Sequence, residues 1–113
     1  MEQYYKLFRV RELADGDEDF VAALAEAFLE EVPEDADRLK KAVAENDYYN
    51  TYQAAHKMKP TVDLFELGML DILIEVQDWG KFEKSDLDIT SQLNTVLSAV
   101  DKAVAEMKSD FNL

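Results

Sequence analysis

Apolar residues along the chain recur with a helical period, in runs separated by short polar punctuation. Phe20, Leu24, Ala27, Phe28 and Val32 fall three and four residues apart. The turn before them, Asp15-Gly16-Asp17-Glu18-Asp19, supplies an N-cap and acidic first-turn residues. A first long helix is predicted there. Pro33 suits either the first turn of a new helix or a kink in a continuous one. Leu39 and Val43 extend the apolar face opposite Glu34, Asp37, Lys40 and Lys41. Asn46-Asp47 should end this segment and cap the next, which from about Tyr48 carries Thr51, Ala55, Met58, Val62, Phe65 and Met69, and ends near Gly68. Another helix runs through Met69, Ile72, Leu73, Val76 and Trp79 until Gly80 breaks it. Ser85 to Asp88 reads as a capping box opening the last, with the stripe Ile89, Leu93, Val96, Leu97, Val100, Val104 and Met107. Residues 4–14, with Tyr4, Tyr5, Leu7, Phe8 and Leu13, predict a short helix.

Three glycines and two prolines in 113 residues leave few places to turn, and neither a repeat of solenoid length nor a linker divides the chain. The expectation is one domain over residues 1–113, all-α, an antiparallel up-and-down four-helix bundle with a short N-terminal helix. A formal net charge of -13 repels phosphate backbones and anionic headgroups, so nucleic acid and membrane surfaces are poor partners and a protein is the better one. With no cysteine, disulfides, thiol nucleophiles and zinc-thiolate sites are excluded, and nothing asks for an oxidising compartment. The opening run Met1 to Lys6 has no basic stretch leading into an apolar one, and every later apolar stretch is soon interrupted by charge. A cytoplasmic protein without signal peptide or membrane span is expected.

The chemically informative stretch is Ala54-Ala55-His56-Lys57-Met58-Lys59-Pro60-Thr61. His56 is the only histidine, and a turn of about 100° per residue sets it outside the apolar stripe, facing solvent in mid-helix. Lys59 is one turn on, Tyr52 and Gln53 one turn back. Pro60 has no N–H to offer the carbonyl four residues earlier, which is that of His56. A lone surface histidine is ordinarily a bystander. Beside an ammonium it has a use, since neutral imidazole is a nucleophile toward activated phosphoryl groups and a cation can neutralise charge on the transferring oxygens.

These residues resemble a family. The run Ala55-His56-Lys57-Met58-Lys59-Pro60 on a central helix, with the upstream acidic turn and Phe28-Leu29-Glu30-Glu31-Val32-Pro33, looks like a histidine-containing phosphotransfer domain of bacterial two-component phosphorelays. The likeness covers about residues 7–108. It implies a phosphocarrier without kinase activity or cofactor of its own, with His56 as phosphoacceptor and Lys59 stabilising the phosphate. Its partners would be receiver domains of response regulators, a hybrid histidine kinase, or both. The family usually has glycine where this chain has Pro60, and often another about three turns beyond the histidine, where Glu66 stands and Gly68 comes late.

Tyr49, Tyr52, Pro60, Asp63 and Leu67 share the side of His56, and with Gln53 and Lys57 they make the expected partner-binding surface of a monomer. A central helix can equally bury Tyr49 and Leu67 as core. Two further readings compete with the carrier: a non-catalytic adaptor or inhibitor on the same fold that docks a kinase or receiver, and an acidic helical scaffold in which His56 is incidental. No metal site is expected. Asp15, Asp17, Asp19 and Glu26 are spaced like a calcium loop, but Phe20 stands where its sharp turn needs glycine, so they read as cap and dipole residues. Glu-x-x-His pairs and glycine-rich phosphate loops are absent from the sequence.

Overall fold

The computed structural model describes residues 3–113; Met1 and Glu2, part of the opening run read for a signal peptide, lie outside the described residues. Five helices follow one another: α1 (Phe8–Leu13), α2 (Glu18–Ala44), α3 (Tyr48–Leu64), α4 (Leu70–Lys81) and α5 (Thr90–Phe111). The protein is all-α, with no strand among the described residues. No helix among them is long and apolar enough to cross a membrane. Asp17 caps α2 by accepting from the amides of Asp19 and Phe20, and Asp47 caps α3 by accepting from Asn50. The acidic turn therefore does cap and dipole work, and no cluster of three metal-ligating side chains forms among the described residues. Of the two readings of Pro33, the continuous one is right: α2 runs through it for 27 residues. The short N-terminal helix begins only at Phe8, after a bend containing Tyr4 and Tyr5.

All five helices stop in the same way. A residue just past each last turn takes a left-handed conformation, namely Asp15, Asn46, Glu66, Glu83 and Asn112, and the following amide reaches back to a carbonyl in the last turn. None of the five is glycine. At the end of α3 this puts Glu66 at φ 50°, and the Leu67 amide donates to the Val62 carbonyl. The helix predicted to reach Gly68 thus ends at Leu64, and Phe65 and Met69 lie outside it although their side chains are buried. Gly68, at φ 82°, belongs to the turn into α4. The capping box at Ser85 to Asp88 does not form. Residues 82–88 are a loop, and the Asp88 carboxylate accepts from the Thr90 amide at 2.9 Å to open α5.

Packing is cyclic, with α2 against α3 and α5, α4 against α3 and α5, and α1 laid on α2. Phe28, Leu39, Met58, Phe65, Leu73 and Met107 fill the centre, where the rings of Phe28 and Phe65 lie 4.9 Å apart. α4 ends within one residue of the expected place, at Lys81, but Gly80 is not the reason. It does not break α4 but sits buried inside it, where an added Cβ would stand 2.6 Å from the Tyr48 carbonyl oxygen and 2.8 Å from the Tyr52 nitrogen. Its lack of a side chain lets α4 meet the first turn of α3 backbone to backbone. Next to it Trp79 packs on Tyr48 at 4.7 Å and donates its indole N–H to the Leu87 carbonyl at 2.8 Å, tying the 82–88 loop down. At the other end Tyr5 is buried with its hydroxyl 2.7 Å from Asp110, and the Lys6 amide donates to the Phe65 carbonyl at 2.8 Å.

Candidate functional site

Three neighbours orient α3 and decide which of its faces is open. Toward α2, the Lys57 ammonium lies 3.0 Å from the buried Asp35 carboxylate, and Arg38 donates to the Asn50 side chain at 2.8 Å. Toward α4, the Gly80 contact brings the backbones together. Toward α1, Arg9 clasps Asp63 through its carboxylate and its carbonyl, each at 3.0 Å. Thr51, Ala54, Ala55, Met58 and Val62 face the core. What remains toward solvent is a strip along Tyr49, Tyr52, Gln53, His56 and Pro60.

His56 is exposed in the middle of this strip, as its angular position required. Its imidazole makes no hydrogen bond to any described residue, which leaves both nitrogens open. The ring instead stacks on Tyr52, one turn back, with centroids 5.5 Å apart and planes inclined by 29°. Lys59 is half-buried, and among the described residues no carboxylate comes within 4.0 Å of its ammonium. Lys59 stands at position i+3 from His56, a spacing at which two helical side chains are neighbours on the surface. Downstream, α3 continues through Pro60 to Leu64 without a break. Pro60 itself is exposed and gives the His56 carbonyl no backbone partner from position 60.

The other expected surface residues divide. Tyr49 is 69% exposed, and its reading as core is excluded. Tyr52 and Gln53 are half-buried along the same strip. Lys57 is exposed yet engaged: its hydrogen bond to Asp35 and that residue's charge, with smaller help from Glu31 and Glu34, raise its pKa above the ordinary lysine value. Asp63 is engaged likewise, and its hydrogen bond and charge raise the pKa of Arg9. Leu67 requires correction. It is buried among the core residues in the α3–α4 turn, because the helix has ended three residues earlier and the chain turns inward there, with the Leu67 amide donating back to the Val62 carbonyl. It forms no part of the exposed face.

Other residues near the strip could not be found from the α3 pattern. A cavity of about 380 Å³ opens beside Tyr52, lined also by Tyr48, Tyr49, Gly80, Lys81 and Glu83. Its α4 side comes from some thirty residues away in sequence, and the one signal was a glycine that read as a helix breaker. Asp35 and Arg9, which hold Lys57 and Asp63, are equally invisible from the α3 pattern. A larger open groove of about 880 Å³ runs between α5 and residues 67–69, lined by Ser91, Thr95 and Ser98 among others, and contains none of the α3 strip. Comparison with protein-family models, with curated proteins and with solved structures gives no match for this chain.

Proposed function

We propose that this protein is a phosphorelay intermediate that accepts a phosphoryl group on His56 from a receiver-domain aspartyl phosphate and passes it to the aspartate of another receiver. Its scaffold in this reading is a monomeric antiparallel up-and-down four-helix bundle with a short N-terminal helix, working in the cytosol. The cyclic packing of α2, α3, α4 and α5 supports the bundle. The observation that carries the function is the mid-helix imidazole, exposed and, among the described residues, free of hydrogen bonds, with a lysine one turn on that none of those residues' carboxylates pairs.

The step is a simple exchange. A neutral imidazole nitrogen attacks phosphorus, the N–P bond forms as the P–O bond of the acyl phosphate breaks, and the bonding pair leaves with the aspartate carboxylate. Onward transfer runs the same step backwards on a second receiver. Charge spreads over the equatorial oxygens in transfer, and the Lys59 ammonium answers it electrostatically. Tyr49, Tyr52, Gln53, Lys57 and Pro60 form the surrounding surface on which the receiver seats.

Incubation with a panel of phosphorylated receivers and magnesium tests the reading. The protein should acquire label that survives base and is lost in acid, and His56→Gln should abolish it at unchanged helicity and thermal midpoint. ATP alone should give no label. Full labelling of the Gln variant would overturn the assignment, and a receiver that binds tightly but labels neither form would make the protein an adaptor.

A further inference from the structure

The stack on His56 has a chemical consequence that the histidine and lysine alone do not supply. An exposed imidazole on a helix surface has two common χ1 wells and a roughly two-fold χ2, with a third χ1 well rarely used, so a free ring samples about four to six orientations. Only some of these present a nitrogen outward to a phosphodonor. Here the ring leans toward the N-terminus of α3, the ordinary direction for a long helical side chain, and meets the Tyr52 ring at 5.5 Å and 29°. Tyr52 is held in its turn. Its backbone is fixed by the close approach of Gly80, and its half-buried side chain lies along the cavity between α3 and α4.

We propose that Tyr52 is a positioning residue for His56: its ring covers one face of the imidazole, removes the unproductive rotamers, and leaves both nitrogens at the open edge. The proposal rests on the phosphocarrier reading. Its role is separate from docking, because orientation of the nucleophile matters for any phosphodonor, however small. The phenol hydroxyl has no part in it, since the contact is between the two rings.

The test uses phosphoramidate, a phosphodonor too small to read a docking surface, alongside a phosphorylated receiver. Tyr52→Leu should slow labelling by phosphoramidate up to about four- to sixfold, the number of orientations a free ring samples, while Tyr52→Phe, which keeps the ring, should lose much less. Because His56 is the only histidine, its ring-proton resonances are unambiguous. They should be displaced by the tyrosine ring current in the wild type and Phe variant, and return toward free-histidine positions in the Leu variant. Three results overturn the proposal alone: equal phosphoramidate rates for wild type and Tyr52→Leu, a loss in Tyr52→Phe as large as in Tyr52→Leu, or ring protons that do not respond to Tyr52→Leu. A wild type that neither phosphoramidate nor any receiver labels overturns the phosphocarrier reading, and this proposal with it.

Discussion

Replacing Gly80 with alanine sets two effects of opposite sign against each other, and the structure decides between them. Within a helix, glycine to alanine adds at most about 1 kcal/mol of stability through backbone propensity. At this position the new methyl would stand 2.6 Å from the Tyr48 carbonyl oxygen, 2.8 Å from the Tyr52 nitrogen and 3.1 Å from the Thr51 Cβ. Comfortable contact begins near 3.5 Å, so α3 and α4 must part by roughly 1 Å. The two closest atoms belong to the backbone of the first turn of α3 and cannot rotate away as a side chain would. The overpacking cost therefore falls in the upper part of the usual range of about 1–3 kcal/mol, and the net effect is a destabilisation of about 1–2 kcal/mol. For a domain of this size that lowers the thermal midpoint by roughly 4–8 °C. Thermal and urea unfolding followed by circular dichroism measure it, with an unchanged urea slope as the check that the transition is still the same one. A midpoint equal to or above the wild type would mean that propensity wins, and that the backbone contact between α3 and α4 is looser than described.

Two further outcomes are expected. On the proposed phosphocarrier reading, Lys59→Ala should reduce phosphotransfer on the order of tenfold to a thousandfold with fold and receiver affinity kept, because the lysine would act on charge that develops in transfer; an equal loss in equilibrium binding would make it a docking residue. Asp47, whose pKa is lowered by its side-chain and backbone hydrogen bonds with Asn50, should stabilise the start of α3 in its ionised form. Such a carboxylate contributes above its unfolded pKa of about 4 and loses that contribution as the pH falls through its lower folded value. Asp47→Ala should accordingly lower the thermal midpoint at pH 7, with the gap to wild type closing in acid; a gap constant from pH 7 to 3 would place the effect elsewhere.

Local chemistry was enough to read most of the helices and the exposure of His56. Apolar period, Asp17 and Asp47 as caps, and the angle between His56 and the stripe Thr51, Ala55, Met58 and Val62 all depend on residues within a few turns of one another. Where the chain stops being helical was less legible, because Glu66 and Glu83 take left-handed conformations that side chains of their kind seldom adopt. What holds them there is the return of the chain into the core, at Leu67 and at the loop anchored by Trp79. The surroundings of the candidate site were decided later still. Gly80 reads as a breaker in its own segment and becomes a contact only when Tyr48 and Tyr52 arrive from α3. Lys57 and Asp63 read as free surface until Asp35 and Arg9 reach them from other helices. A period in the sequence tells a residue which way it faces from its own axis, and only packing between helices determines what stands on the other side.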